Sequence, residues 1–152
     1  MINIATRDNA CEVANLAIQM WEDNAVEGLT EEFRELIEKE DAQIFIKFVE
    51  NKAVGFAQCQ LRYDYVEGTE NSPVGYLEGI FVEKEYRGQG YAKELLSECQ
   101  KWAKEKGCLE FASDCELDNA TSLKFHIVMG FEEANSSVTP YGYDLKIKIK
   151  RY

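Results

Sequence analysis

Histidine, proline and positive charge are scarce in this chain, and each scarcity removes a class of function. A single histidine, His126, and five cysteines with no Cys-x-x-Cys pair provide no metal-ligand spacing, so no metal site is expected. Lys and Arg number 17 against 28 Asp and Glu, a net charge of −11. With no basic stripe to meet phosphates, nucleic acid is not expected as a partner. No apolar run approaches the roughly 20 residues that span a bilayer, so no membrane partner is expected. The N-terminal Met-Ile-Asn-Ile-Ala-Thr-Arg-Asp lacks a basic segment followed by an apolar one, and no secretory leader is read there. Cys11, Cys59, Cys99, Cys108 and Cys115 then read as reduced thiols of a cytoplasmic protein, several of them core residues. Two prolines and no low-complexity segment leave nothing that divides the chain, so residues 1–152 are expected to form a single domain.

What is present is a globular composition, 45% hydrophobic and 30% charged. The acid excess suits a cationic ligand, although solubility alone accounts for it equally well.

Taken in order, Ile2–Ile4 alternates as a short strand. Asp8 can cap a helix carrying Val13, Leu16, Ala17 and Met20, which ends at Trp21-Glu22-Asp23-Asn24. Thr30, followed by Glu31 and Glu32, reads as the cap of a second helix with Phe33, Leu36 and Ile37 inward. Residues 43–49 and 53–63 form a hairpin about a turn at Glu50-Asn51-Lys52, and 64–73 a polar loop. Cys108–Ala112 reads as a strand with Asp114 at its C-terminal end, and Thr121–Met129 as a short helix. Leu145, Ile147 and Ile149 alternate with Lys146, Lys148 and Lys150 in a final strand, with one further strand allowed for.

Between loop and C-terminal half lies the stretch from Gly75 to Ala92. Its first part is an apolar strand ending near Val82. Its second, Arg87-Gly88-Gln89-Gly90-Tyr91-Ala92, runs into a helix with Leu95, Leu96, Cys99, Trp102 and Ala103 on one face, ended by Gly107. Strand, glycine turn and helix N-terminus make an anion site, because small residues let backbone N–H groups converge and the helix dipole favours negative charge. The pattern is neither the dinucleotide fingerprint nor a P-loop.

It resembles the coenzyme A loop, Arg/Gln-x-x-Gly-x-Gly/Ala, of the GCN5-related N-acetyltransferases. A second match, Asn119-x-x-Ser122-x-x-Phe125-His126-x-x-x-Gly130-Phe131, resembles that family's Asn-x-x-Ala-x-x-Phe-Tyr-x-x-x-Gly-Phe. The resemblance implies a mixed α/β (α+β) acetyltransferase fold. Its single central sheet is mixed, mostly antiparallel, splayed between the fourth and fifth strands and flanked by helices. It implies acetyl-CoA as co-substrate and no metal. Its pyrophosphate would be held by Arg87, Gly88, Gln89, Gly90, Tyr91 and Ala92. The backbone of Ile80, Phe81 and Val82 would carry the pantetheine arm, with Asn119 facing the same ligand. Gly79 falls where the family's strand often bulges. His126 takes the place of a tyrosine that is the family's candidate acid, so either His126 or water protonates the leaving thiolate.

Acetyl transfer to an amine also needs a base, since an ammonium cannot attack. Glu78 and Asp114 are the candidates; a solvent-facing strand carboxylate and a turn acid are the plain alternatives. The segments around Arg62–Thr69, Leu77–Val82 and Glu110–Asp114 look like those of bacterial aminoglycoside 6'-N-acetyltransferases, enzymes of antibiotic resistance. By that resemblance Trp21, Asn24, Tyr65, Glu78 and Asp114 would contact the aminoglycoside, a polycation suited to carboxylates and aromatic faces. Asn135 stands where the group often keeps an acidic contact, and the tail beyond departs from the group's usual ending. The reaction implied is direct attack of the 6'-amine on acetyl-CoA. The other readings are a family member acting on another small or protein amine, and a non-catalytic acyl-CoA-binding module. Whether the protein is a monomer or a homodimer the sequence leaves open.

Overall fold

The computed structural model describes the backbone of residues 1–63, 70, 72–116, 124–125, 128–138 and 144–151. Within those ranges it describes the side chains as far as 113 and at 124, 125 and 128–131. The elements are β1 (Ile2–Ile4), α1 (Ala10–Ala17), α2 (Val26–Ile37), β2 (Ala42–Val49), β3 (Lys52–Arg62), β4 (Val74–Val82), α3 (Tyr91–Glu105), β5 (Glu110–Glu116), β6 (Glu132–Val138) and β7 (Asp144–Arg151). The strands follow the order β1-β2-β3-β4-β5-β7-β6. The β4–β5 pair is parallel and the β1–β2, β2–β3, β5–β7 and β6–β7 pairs are antiparallel. The chain groups into two compact units, residues 1–60 with 78–101 and residues 61–77 with 102–152.

The first unit is built on the β2–β3 hairpin. Its turn is two residues long, because Val49 pairs with Lys52 and both Glu50 (φ 49°) and Asn51 (φ 68°) are left-handed. Such a turn matches the twist of the flanking strands. On one face Ile44, Ile46 and Phe56 pack with Val13, Leu16, Leu29 and Phe33 of α1 and α2. Trp21, Phe33 and Phe56 form an aromatic cluster there, with ring centroids 6.1–6.4 Å apart. On the opposite face of β3, Gly55 admits a close neighbour: a Cβ would stand 2.8 Å from the Phe81 carbonyl oxygen and 3.4 Å from Leu95 Cδ1.

Two helix starts differ from the sequence expectation. Asp8 does not cap α1; it lies in a 3-10 turn, Arg7–Asn9. Thr6 opens that turn, its N–H donating to Asn9 Oδ1 at 2.9 Å. Thr30 does not cap α2, which begins four residues earlier at Val26. Instead Thr30 is buried, and its hydroxyl donates to the Val26 carbonyl at 2.7 Å.

In the second unit Val74, Tyr76 and Ala112 form a small core, and Phe111 meets Phe131 edge-on at 6.3 Å. Arg62 lays its guanidinium 3.5 Å above the Tyr76 ring. Glu110, 1% exposed, accepts the Glu70 N–H at 2.8 Å. The parallel ladder pairs Gly75 with Phe111, Tyr76 with Ala112 and Leu77 with Ser113, while β4 continues to Val82 and β5 to Glu116. The parallel pairing of the fourth and fifth strands is thus three pairs long among the described residues. β5 starts two residues later than the sequence suggests, so Asp114 is followed by two further strand residues rather than ending the strand. Of the short helix expected at 121–129, Lys124, Phe125 and Val128 are described as helical, and the Met129 N–H donates to the Phe125 carbonyl at 3.0 Å. The turn expected at Pro140-Tyr141-Gly142 lies outside the described residues.

Candidate active site

The glycine-rich turn has the geometry an anion cradle needs. Gly88 (φ 81°) and Gly90 (φ 84°) both occupy the left-handed region, and a Cβ on either would meet nothing within 4 Å. The glycines are therefore required by backbone conformation, and the space above them is clear. α3 starts immediately after, at Tyr91, and the Gly90 carbonyl accepts the Glu94 N–H at 3.1 Å. The first N–H groups of a helix have no partner within it, so the turn and helix end present donors together with the positive end of the dipole. Arg87 braces the loop: its Nε donates to the Val82 carbonyl at 2.8 Å and its guanidinium lies 5.5 Å from the Phe81 ring centroid. Gln89 accepts the Tyr91 hydroxyl at 3.0 Å.

Behind this helix end lies a buried cation that the sequence reading did not single out. Lys47, 8% exposed on β2, donates to Glu94 Oε2 at 2.7 Å and sits 4.4 Å from the Tyr91 ring centroid. The Glu94 carboxylate raises the Lys47 pKa above its ordinary value against the opposing effect of burial. A carboxylate in the first turn of an anion-binding helix repels the ligand, and Lys47 offsets that charge.

The same unit holds a cavity of about 350 Å³. Trp21 and Phe33 form an aromatic wall, and Asn24, Glu32, Gln58 and Glu78 supply its polar groups. Of the residues the sequence assigned to substrate, Trp21, Asn24 and Glu78 thus line one cavity. Glu32 and Gln58 went unread because an acid on a helix and a polar residue within a strand look ordinary locally; Gln58 and Gln60, breaking the apolar run of β3 on one face, were the available signal. Gly79 has a packing reason of its own: a Cβ would come within 2.8 Å of Trp21 Cζ2 and 2.9 Å of Cη2.

Asp114 is placed on β5 opposite Ile147, and Asn135 on β6 opposite Ile147. Their side chains, with Tyr65, Asn119 and His126, lie outside the described residues. Glu78 belongs to the first unit and Asp114 to the second. Among the cysteines whose side chains are described, Cys59, Cys99 and Cys108 are buried and Cys11 is exposed. Burial pushes the Cys99 thiol well up, helped by its contact with Cys59, and raises Cys108 against a backbone hydrogen bond from Gly75. Such thiols are poor nucleophiles. Among the described residues no cluster of three metal-ligating side chains occurs, and no helix is long and apolar enough to cross a membrane.

A glycine cradle at the N-terminus of α3, directly after β4, is an anion site of the kind that can hold a coenzyme A pyrophosphate. The chain belongs to the acetyltransferase (GNAT) family, whose model matches residues 11–131. Within that family it is similar to aminoglycoside N(6')-acetyltransferase type 1 of Serratia marcescens, 37% identical over 139 residues, covering 91% of this chain and 95% of the relative. The enzyme of the same name from Stenotrophomonas maltophilia is 38% identical over 137 residues, covering 90% and 89%. Among solved structures, AAC(6')-Iy in complex with the bisubstrate analogue CoA-S-monomethyl-acetylneamine superposes with a TM-score of 0.88 at 34% identity, covering 91% of this chain and 95% of that one.

Proposed function

We propose that the protein transfers the acetyl group of acetyl-CoA to the 6'-amine of aminoglycoside antibiotics, and so confers resistance to them. The observation that carries this is the presence, in one unit, of the open Gly88–Gly90 cradle and the cavity lined by Trp21 and Glu78. The relatives' names and the CoA-containing complex support the same donor and acceptor.

In this reading the amides of the 88–92 turn and the first turn of α3 hold the coenzyme A pyrophosphate. The backbone of Ile80–Val82 orients the pantetheine arm and thioester. Glu78 draws the ammonium into the cavity by charge and takes its proton, with Asp114 as the other candidate base. Trp21 offers its ring face to the cationic sugar, and Asn24 a polar contact. Tyr65 and Asn135 complete the acceptor side, Asn119 the donor side, and His126 or water returns a proton to the thiolate. The amine attacks the thioester carbon directly, its C–S bond breaks as the amide C–N bond forms, and coenzyme A leaves. Acetylation turns an ammonium into a neutral amide and removes one cation from the drug. We assign residues 1–152 to one N-acetyltransferase domain, a reading supported by a family match that runs through segments of both units. We place it in the cytoplasm, where acetyl-CoA is available.

The test is release of free thiol from acetyl-CoA in the presence of kanamycin, tobramycin, polyamines and peptide amines in turn. Turnover confined to aminoglycosides is expected. Turnover with polyamine or peptide alone overturns the acceptor, and acetyl-CoA binding without any transfer overturns catalysis. Glu78→Gln and Asp114→Asn, compared by kcat against pH, identify the base: the variant lacking it loses the acidic limb of the profile.

A further inference from the structure

Gln58 is a buried polar residue that the reaction as described does not use. It sits on β3 opposite Ile44 of β2, with the fully buried Phe56 two residues before it on the same face. The residue is 9% exposed, and its side chain lines the cavity that Glu78 and Trp21 also line. No hydrogen bond to its amide occurs among the described residues. Its amide is not cut off from solvent, so a ligand that fills the cavity displaces the water there and must supply the hydrogen bonds in its place.

The chemistry of the cavity narrows that ligand group. In the proposed reaction the Glu78 carboxylate attracts an ammonium, whereas a primary amide is neutral and both donates and accepts. A sugar hydroxyl does both in return. The acceptor must then carry an amine and a hydroxyl close enough to be held in one cavity of about 350 Å³. In a 6'-amino sugar the 4'-hydroxyl meets this condition, since C4' and C6' are both bonded to C5'. Resting on the aminoglycoside reading above, we propose that Gln58 is a specificity-determining residue whose amide binds the 4'-hydroxyl of the sugar that presents its 6'-amine to Glu78. The residue sets which aminoglycosides are good acceptors and takes no part in proton transfer.

The probes are kanamycin B, tobramycin (its 3'-deoxy form) and dibekacin (its 3',4'-dideoxy form), which lose the two hydroxyls one at a time. The full chain is assayed by thiol release, as wild type and as Gln58→Met, a change of similar volume that removes the hydrogen bonds. In the wild type kcat/KM for tobramycin should exceed that for dibekacin by about 3- to 10-fold, the effect of one neutral hydrogen bond. In Gln58→Met that ratio should fall to about one, with KM for acetyl-CoA as in the wild type. A wild-type ratio of one overturns the proposal without any variant. So does a Gln58→Met protein that keeps the wild-type ratio, or that loses activity equally toward all three drugs, as a packing role would. Absence of turnover by the wild type with every aminoglycoside, and turnover with other amines instead, would remove the parent reading and the proposal together.

Discussion

Replacing Gly79 by alanine tests how tightly the acceptor cavity is built. The new methyl would stand 2.8 Å from Trp21 Cζ2 and 2.9 Å from Cη2, closer than Cβ atoms are found in ordered proteins, and a tight 3.3 Å from Met20 Cε. The indole can retreat only toward the cavity, because on its other side it packs 6.4 Å from Phe33 and 6.2 Å from Phe56 between centroids, and both phenylalanines are at most 1% exposed. Overpacking of this kind costs about 1–3 kcal/mol. For a chain of this length each kcal/mol moves Tm by about 2–4 °C, so a fall of about 2–12 °C is expected by calorimetry. Displacing the ring also reshapes the wall of the cavity, so KM for an aminoglycoside should rise while KM for acetyl-CoA holds. Trp21→Phe in the same background removes the clashing carbons and should restore much of the lost stability, a non-additive pair. An unchanged Tm in Gly79→Ala, or strict additivity with Trp21→Phe, would refute the reasoning.

Other perturbations separate the parts of the donor site. Lys47→Met should raise the Kd for acetyl-CoA in calorimetry by leaving the Glu94 carboxylate uncompensated at the helix end, and adding Glu94→Gln should recover most of the loss. Gly90→Ala meets no steric obstacle, so its cost is that of a left-handed alanine, about 1–2 kcal/mol, and should show mainly as weaker acetyl-CoA binding. Among Cys11, Cys59, Cys99 and Cys108, alkylation of the native protein mapped by mass spectrometry should label Cys11 alone. Because burial raises the Cys99 thiol above its ordinary 9.0, the fold favours the neutral form. That stabilisation is complete below pH 9 and declines as pH rises through the higher native value, so Cys99→Ala should show a shallower loss of Tm above pH 9 than the wild type.

Features set by local rules were legible in the sequence. The tight turn after Val49, the glycine-rich turn at 88–90 and the long helix that follows are dictated by a few neighbouring residues. The start of α2 shows where local rules mislead. Thr30-Glu31-Glu32 has the composition of a cap and first turn, yet Val26, Leu29, Thr30, Phe33 and Ile37 repeat at helical spacing, and burying that face extends the helix backwards. The site divides in the same way. Glu78 and Trp21 were reached through a family resemblance, whereas Lys47 and Gln58 acquire meaning only from partners distant in sequence: Glu94, 47 residues on, and a cavity walled by α2. No periodicity in a β-strand reveals such partners.

The central claim is that this cradle and this cavity join one acetyl group to one particular amine. The most direct measurement is to turn over kanamycin with acetyl-CoA labelled with carbon-13 in the acetyl group, and to locate the label by two-dimensional NMR. The account predicts one acetyl per drug molecule, attached at the 6'-nitrogen, with an equal amount of free thiol. Label on a different nitrogen, or thiol released without acetylated drug, would contradict it.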